Sequence, residues 1–412
     1  MKGMTGHCQC IPMVLKYTVL SGFIVIFCAV TGIPALNNGV ARTPPMGWST
    51  FNQFGGGWTA STLKTAADSL IATGLRDCGY EYVNCDGSDG TNDMRYDDFW
   101  PGVSTKFVPW AQPIADYLHG KGMKFGVYMT TVKDPAATVR DINTVGIDYL
   151  KHDNWGATNC AQDYMNASAA ILASKRPVVY STNSCSDTTI SNMWRTGPDI
   201  GPKWEWWIQN FDPNYLHLSK AGPGHWPDPD MLEVGCRYVG QKFLSYDESR
   251  AHFSMWCMMS APLIIGFDVT RTHVFNAAPT IEEYARYIGI LSNTELISLN
   301  QDTIGLAGRR IKGQGALEVW VKNCADGSKS VALFNRTASA ADMSINQSEL
   351  GWGQASSIYV RDLWLHEDLP PFTGTFTKRV ATHAAEVYRM SPQPIQTPTE
   401  VLRKMDRSTA WL

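Results

Sequence analysis

The chain has 412 residues, of which 44% are hydrophobic and 18% are charged, and its formal net charge is −3 at pH 7. This length accommodates a barrel-sized domain followed by a smaller one, and the charge balance gives no electrostatic reason to expect a nucleic-acid partner. The 15 tryptophans favour buried packing for most of them, with a few, such as those in segment 204–207, left to line a cleft for a flat-faced ligand.

The first 35 residues have the pattern of an export signal. Lys2 and Lys16 precede an apolar run over residues 19–30, which is too short for a comfortable membrane span and has the length of a signal-peptide core. Small residues near its end favour cleavage there: Ala29, Gly32 and Ala35. The pattern predicts a signal peptide over residues 1–35 and a secreted protein without membrane attachment in its mature form. An uncleaved membrane anchor is the alternative.

Sequons and cysteines agree with a secretory environment. N-glycosylation sequons begin at Asn166, Asn335 and Asn346. No pair of cysteines has CxxC or metal-ligand spacing, so we expect disulfide bonds and no structural zinc. Seven cysteines lie outside the leader, an odd number that leaves at least one thiol unpaired within the chain: Cys78, Cys85, Cys160, Cys185, Cys236, Cys257 and Cys324.

Residues 41–309 alternate short β-branched runs with longer helical stretches, which predicts a (β/α)8 TIM barrel. A doubly wound open sheet is the competing architecture, but it usually has a glycine-rich turn after its first strand, and none follows Trp48. Strands are predicted over residues 82–84, 125–128, 147–151, 177–180, 231–234 and 263–265. Helices are predicted over residues 110–119, 136–143, 161–174, 248–260 and 281–290.

After Gly308 the pattern changes to short strands separated by glycine-containing turns. This pattern predicts an antiparallel β-sandwich over residues 310–391, followed by a C-terminal tail over residues 392–412. Its strands are predicted at residues 316–321, 331–334, 357–360, 372–380 and 385–388.

Four aspartates stand at or near the ends of barrel strands: Asp86, Asp153, Asp199 and Asp230. In a parallel barrel the C-terminal strand ends and their loops converge on one face. A carboxylate that is costly to desolvate is either paired or functional when it lies there. A lone aspartate would most often be a helix cap or a salt-bridge partner, but four on one rim favour an active site.

The segment around Asp153 carries the sharpest signal. Lys151 and Asp153 are two apart on a predicted strand, so both side chains leave the same face while His152 faces away and is expected to be packed. A lysine beside a carboxylate keeps it ionised, as a nucleophile requires. An ordinary strand-end ion pair is the alternative.

Several segments resemble the hallmark motifs of glycoside hydrolase family 27, which contains the α-galactosidases and α-N-acetylgalactosaminidases. The resemblance runs in order from about residue 41 to residue 390, across both predicted domains. Its segments are TPPMGW at 43–48, YLKHDN at 149–154, WRTGPDI at 194–200, WPDPDMLEVG at 226–235, APLIIG at 261–266 and VRDLW at 360–364.

The resemblance implies a retaining double displacement in which Asp153 is the nucleophile and Asp199 the general acid/base, with no metal or organic cofactor. Retention predicts carboxyl groups about 5–5.5 Å apart, against about 6.5–9.5 Å for inversion. Burial and the charge of its partner would help Asp199 to hold its proton. The substrate would be a carbohydrate, bound by Phe51, Asp86, Tyr128, Lys151, Ser184, Arg195, Asp230 and Met231.

The sequence departs from the family in the sugar pocket. Gly87 follows Asp86 where the family usually has a second aspartate, so one charged hydrogen bond, worth about 1.5–3 kcal/mol, is missing. Asn-Ser-Cys at 183–185 replaces a Cys-Glu-Trp segment, with Ser184 where the glutamate would contact the 2-position. Trp155 replaces a common disulfide cysteine, and the expected partner cysteine is absent from residues 129–134.

The reaction is therefore more strongly indicated than the sugar. We expect hydrolysis of terminal α-galactosyl-type residues, with an α-N-acetylgalactosaminidase, a β-L-arabinopyranosidase or an isomaltodextran-type α-glucan hydrolase as alternatives. A weakly catalytic carbohydrate-binding protein is a further alternative, although the presence of both Asp153 and Asp199 opposes it. A nucleotide-binding oxidoreductase is not indicated, because the sequence lacks the glycine-rich dinucleotide-binding fingerprint. A homo-oligomer is compatible with the sequence.

Overall fold

The computed structural model describes residues 36–87, 100–153, 160–183, 189–237, 242–271, 279–353 and 357–395. The predicted leader, Trp155, Ser184, Cys185 and the tail beyond residue 395 lie outside these ranges.

Eight parallel strands form a curled sheet in the order β7-β6-β5-β4-β3-β2-β1-β8. The circuit is completed where Leu232, which follows β7, pairs with Ile265 of β8 and donates its amide to the carbonyl of Ile264 (2.7 Å). This confirms the predicted barrel. The strands are β1 Met46–Ser49, β2 Tyr82–Asn84, β3 Lys124–Met129, β4 Tyr149–His152, β5 Val179–Thr182, β6 Met193–Arg195, β7 Trp226–Asp228 and β8 Leu263–Ile265.

The strand predicted over residues 231–234 is wrong. The seventh strand is Trp226–Asp228, and residue 232 contributes only an isolated bridge. Pro227 and Pro229 flank the ladder position of Asp228, and a run interrupted by prolines carries little strand signal because proline cannot donate to a ladder. The apolar residues at 231–234 are buried for packing rather than for sheet pairing.

Helices separate most of the strands and cover the outside of the sheet. Local capping sets several of their starts: Asp134 accepts the amide of Ala137 (3.1 Å), and Ser245 with Glu248 forms a capping box. In the described ranges, no helix is both long enough and apolar enough to cross a membrane. The helices are α1 Phe51–Phe54, α2 Ala60–Ala72, α3 Phe107–His119, α4 Pro135–Val145, α5 Cys160–Ser174, α6 Trp204–Tyr215, α7 Tyr246–Met259, α8 Ile281–Leu291 and α9 Thr294–Asn300.

The interior of the barrel is closed at its N-terminal end and open at the other. A cluster of large side chains fills the closed end: Tyr82, Tyr149, Val179, Met193 and Trp226. The motif around Gly47 fits this crowding, because a Cβ atom at that position would lie 2.6 Å from the carbonyl oxygen of Tyr82.

The C-terminal domain consists of two antiparallel sheets that share one core. A six-stranded sheet has the order β14-β13-β16-β11-β10-β9, and β12 pairs with β15 in a second sheet. Side chains from both sheets meet in one hydrophobic cluster, which confirms the predicted β-sandwich. The strands are β9 Arg309–Lys312, β10 Leu317–Asn323, β11 Lys329–Asn335, β12 Ala341–Asn346, β13 Ile358–Asp362, β14 Glu367–Phe372, β15 Thr375–Val380 and β16 Ala384–Ser391.

An aromatic layer and a buried ion pair join the domains. Trp204 and Trp207, in the segment considered for a cleft, pack against Phe334 of the sandwich and belong to this interface instead. Arg361 makes a bidentate ion pair with Glu295 of α9, with both N–O distances at 2.7 Å. The sandwich is thereby fixed to the helical layer of the barrel.

The cysteines and sequons are only partly as expected. Among the described residues, Cys78, Cys236, Cys257 and Cys324 are free thiols, and Cys160 is disulfide-bonded. Asn335 is fully buried and donates to three backbone carbonyls of the sandwich, so its sequon is inaccessible in the folded chain. Asn346 is exposed and Asn166 is partly exposed.

Candidate active site

One cavity at the C-terminal end of the barrel strands brings together the predicted site residues that lie in the described ranges. Its volume is about 120 Å³, well above the roughly 10–15 Å³ that one water molecule needs by the same measure. It is lined by Phe51, Asn52, Asp86, Tyr128, Lys151, Asp153, Arg195, Asp199, Ile200, Asp230 and Met231.

Asp153 stands at the end of β4 between donors from the two neighbouring strands. The hydroxyl of Tyr128, on β3, donates to its Oδ2 (3.2 Å), and the side-chain amide of Asn183, which follows β5, donates to its Oδ1 (2.5 Å). Both donors are neutral. The carboxylate is thus held in position by one hydrogen bond to each of its oxygens.

Lys151 points into the same cavity as Asp153, as its strand position predicts, but its ion pair is with Asp86. The expectation that Lys151 is the direct partner of Asp153 is therefore wrong. Burial acts to lower the pKa of Lys151, but the carboxylates of Asp86 and Asp230 outweigh it and raise that pKa. Lys151 stays charged and compensates the buried carboxylate of Asp86.

His152 faces away from the cavity and is fully buried, as predicted. Its Nδ1 lies 2.9 Å from the hydroxyl of Tyr180 and its Nε2 lies 3.1 Å from Oδ2 of Asp163. Asp163 also accepts the amide of Val132 in the loop after β3 (3.0 Å). This network links the end of β4 to the loop after β3, the two segments that lack the family's cysteines.

Arg195 and Asp230 form a buried ion pair beside the cavity, with Nη2 and Oδ2 2.9 Å apart. The guanidinium also donates to the carbonyl of Pro198 (2.6 Å), and Asp230 accepts the amide of Ile200 (2.9 Å). The pair therefore holds the residues on both sides of Asp199. Burial acts to lower the pKa of Arg195, but the surrounding carboxylates, first that of Asp230, raise it.

Asp199 lies at the mouth of the cavity rather than inside it. Its side chain is 72% exposed and its Oδ1 is 3.1 Å from Nη2 of Arg195. The expectation that this carboxyl is buried is therefore wrong. The reason is local: the loop after β6 carries Asp199 outward, while Arg195 and Ile200 stay buried below it.

The backbone of Asp230 has an unusual conformation, with φ at 83°. A left-handed backbone costs free energy for a residue with a Cβ atom, and such residues cluster at functional sites. Here it is held by the side chain of Asp228, which accepts the amide of Asp230 (2.8 Å), and by Trp256, whose indole donates to its carbonyl (3.0 Å). The strain aims the Asp230 carboxylate at Arg195.

Asp228 is a buried carboxyl that sequence reasoning did not assign. It lines a smaller cavity of about 20 Å³, which shares Asp86, Lys151, Arg195, Asp230 and Met231 with the first and continues into the barrel. Burial raises the pKa of Asp228 to about 6, and the charge of Asp230 adds to the effect. The alternation of Asp and Pro over residues 227–230 was the available signal, since two aspartates at that spacing share one strand face.

Glu233 is a second buried carboxyl that was missed. Its Oε1 accepts the side-chain amide of Asn52, a cavity residue on the turn that carries Phe51, and its Oε2 has no hydrogen-bond partner. Burial raises the pKa of Glu233 to about 8, so the side chain is largely protonated at neutral pH. Phe51 itself is 45% exposed at the rim, where its ring is available to a ligand.

The arrangement suits a neutral polar ligand. Asp86 and Asp230 offer charged acceptors, Lys151 and Arg195 offer donors, and Phe51 offers a flat apolar face, which is the mixture that sugar hydroxyls and ring carbons require. Two further carboxylates, Asp153 inside and Asp199 at the mouth, line the same space. Most glycoside hydrolases catalyse their reaction with a pair of carboxyl groups in one pocket.

Comparisons with known proteins agree with this chemistry. The family model described as "Alpha galactosidase A" matches residues 43–302, and "Alpha galactosidase C-terminal beta sandwich domain" matches residues 314–390. The α-galactosidase of Cyamopsis tetragonoloba is 32% identical, over 86% of this chain and 88% of its own. α-Galactosidase 3 of Arabidopsis thaliana is 34% identical, over 87% and 84%. The structure of α-galactosidase I from Mortierella vinacea has a TM-score of 0.70 and 27% identity, over 88% and 100%.

We predict that Glu233→Gln stabilises the chain relative to wild type as the pH rises. The pKa of Glu233 is near 8 in the folded chain, above its ordinary value of 4.5. The protonated side chain therefore makes its full contribution to the free energy of unfolding below about pH 4.5, and this contribution is lost as the pH rises toward 8. Glutamine stays neutral throughout. Urea unfolding at pH 5 and pH 8 should give a difference that grows in favour of the variant by on the order of 4 kcal/mol.

The matched control is Glu205→Gln, at an exposed position, for which the difference from wild type should not change between the two pH values. If the difference in unfolding free energy between Glu233→Gln and wild type is also the same at pH 5 and pH 8, Glu233 is not protonated in the folded chain.

Proposed function

The chain belongs to glycoside hydrolase family 27, and on this basis we propose that it removes terminal α-galactosyl-type residues from oligosaccharides or polysaccharides with retention of anomeric configuration. Asp153 is the nucleophile and Asp199 is the general acid/base. The single observation that carries the proposal is that one cavity at the open end of the barrel is lined by both carboxylates together with the residues expected to bind a sugar.

In the first step Asp153 attacks the anomeric carbon while Asp199 protonates the leaving oxygen. The position of the two groups supports this division of labour. Asp153 is held inside the cavity by two neutral donors, whereas Asp199 lies at the mouth, where the leaving group must depart. In the second step Asp199 removes a proton from the water that cleaves the glycosyl-enzyme. Bound substrate covers Asp199 and replaces its solvent, which favours the protonated form.

Binding of the sugar hydroxyls falls to the charged residues around Asp153. Asp86 and Lys151 form one pair and Arg195 and Asp230 another, so each group is already oriented when the sugar enters. Tyr128 and Met231 form the wall, and Phe51 stacks on the ring face. Ser184, outside the described residues, is the expected contact at the 2-position.

A terminal α-galactosyl unit is the substrate that we favour, because it is the substrate class named for the relatives that cover most of the chain. Gly87 leaves one expected carboxylate absent beside Phe51, whose ring atoms lie 3.7 Å from an ideal Cβ at that position. This difference keeps an N-acetylgalactosaminide, a β-L-arabinopyranoside and an α-glucan as alternatives. A binding protein with weak turnover is disfavoured because both carboxylates are present.

A panel of aryl glycosides tests the assignment: the α-galactoside, the α-N-acetylgalactosaminide, the β-L-arabinopyranoside and the α-glucoside. We expect the α-galactoside to be cleaved with the highest kcat/KM, and NMR of the first product to show the anomer of the substrate. Faster cleavage of another member would reassign the sugar. A first product with inverted anomeric configuration, or no cleavage of any glycoside in the panel, would contradict the proposal of a retaining hydrolase.

We predict that Asp153→Asn abolishes turnover of the best substrate in the panel and leaves the fold intact. The amide keeps the shape of the side chain but cannot form the glycosyl ester. The measurement is kcat beside the thermal unfolding curve. Turnover at the wild-type rate, with the variant protein verified by mass, removes the nucleophile assignment.

We predict that Asp199→Ala slows natural α-galactosides more than aryl glycosides with good leaving groups, because only a poor leaving group needs the proton. The loss in kcat/KM should be on the order of 100-fold or more for the natural substrate. Asp77→Ala is the matched control, since Asp77 is 70% exposed and pairs with its neighbour Arg76; it should leave both rates unchanged. Equal losses on both substrates would argue against an acid role for Asp199.

We also infer that the mature chain is exported. The apolar run and basic residues of the leader, together with accessible sequons at Asn346 and Asn166, support this. Intact-mass analysis of protein from a eukaryotic secretory host should show a chain that starts near residue 36 and carries glycans at those asparagines but none at Asn335. Retention of the leader, or a glycan at Asn335, would contradict the inference.

A further inference from the structure

Asn183 occupies the barrel position directly beside the nucleophile. Strands β4 and β5 pair in parallel register, with Lys151 opposite Ser181 and His152 opposite Thr182, so the next positions on the two strands are Asp153 and Asn183. Side chains alternate along a strand, and Lys151 and Ser181 both face a cavity of the barrel interior. The register therefore turns the side chains of residues 153 and 183 to the same side.

The contact between them is a direct hydrogen bond. The side-chain amide of Asn183 donates to Oδ1 of Asp153 over 2.5 Å. The hydroxyl of Tyr128 donates to the other oxygen of the same carboxylate (3.2 Å). The two donors come from opposite sides, β3 and β5, and together they fix the rotation of the carboxylate about its Cβ–Cγ bond.

The backbone pairing of β4 with β5 does not depend on the side chain of Asn183. The backbone amide of Asn183 donates to the carbonyl of His152 (3.3 Å), which extends the pairing of β4 and β5 for any residue other than proline. The side-chain bond to Asp153 is thus additional to the sheet. The segment at 183–185, Asn-Ser-Cys, departs from the Cys-Glu-Trp of the resembled family.

We propose that Asn183 is a positioning residue for the nucleophile, which holds Oδ1 of Asp153 and stabilises its carboxylate form through the side-chain amide. The proposal rests on the assignment of Asp153 as nucleophile. An amide suits this task, because it donates a strong hydrogen bond to an anion but gives up no proton at working pH. A cysteine at this position would be a weaker donor.

Three substitutions separate this role from a packing role. Asn183→Asp keeps the shape but replaces the donor by a second carboxylate, Asn183→Cys restores the family residue with a weak donor, and Asn183→Ala removes the group. We expect kcat to fall about 10- to 100-fold in the alanine variant, by the loss of one hydrogen bond to a charged group, with a smaller change in KM. The cysteine variant should lie between alanine and wild type.

The pH profile is the readout that packing alone would not move. Loss of a donor to the charged form makes Asp153 harder to ionise, so the acidic limb of kcat/KM should move to higher pH in the alanine variant and further in the aspartate variant, where two carboxylates compete. Asn38→Ala is the matched control. The amide of Asn38 donates to the carbonyl of Val178 (2.6 Å) at the opposite end of β5, and its loss should leave the acidic limb in place.

The outcomes distinguish the two proposals. A wild-type chain that cleaves no member of the panel contradicts both the hydrolase and this role. An active wild type whose Asn183→Ala and Asn183→Asp variants keep kcat and the acidic limb overturns the role of Asn183 alone. A fall in kcat with an unmoved acidic limb and a lowered thermal midpoint also overturns it, since a structural defect is then sufficient.

Discussion

The buried ion pair between Arg195 and Asp230 is the interaction on which the open end of the barrel depends. Its two side chains are only 5% and 6% exposed, and removal of one partner would leave an uncompensated buried charge, typically a cost of about 3–5 kcal/mol. Through the carbonyl of Pro198 and the amide of Ile200, the pair sets the path of the loop that carries Asp199. The strained backbone of Asp230 is the conformational cost of that geometry.

This pair also explains why the two proposed catalytic carboxylates can differ. Arg195 pairs with the buried carboxylate of Asp230 and Lys151 with that of Asp86, whereas the hydrogen bonds to Asp153 come from the neutral donors Tyr128 and Asn183. Asp199 contacts the same guanidinium from the solvent side, with its Oδ1 3.1 Å from Nη2 of Arg195 and its side chain 72% exposed.

Local sequence patterns predicted a strand correctly where a short apolar run had one physical explanation, which was pairing in the sheet. Strand β2 and strand β8 were predicted to the residue, because each is a short apolar run bounded by polar or turn residues. The strand placed at 231–234 failed because burial of Leu232 and Val234 comes from packing against the barrel, and an apolar run does not reveal whether its backbone is paired. Asp228 and Glu233 were missed for a related reason: burial, not residue type, gives each its raised pKa.

The sequence by itself determined the barrel and sandwich, the family, and the four aspartates at strand ends, because periodicity and motif order are written along the chain. Only the tertiary structure decided which charges meet. Lys151 pairs with Asp86, which is distant in sequence, rather than with Asp153 two residues away, and Asp199 proves exposed rather than buried. Asn183 reaches Asp153 through strand register. Distances across a barrel follow from sheet closure and loop path, and neither is encoded in the spacing of residues along one strand.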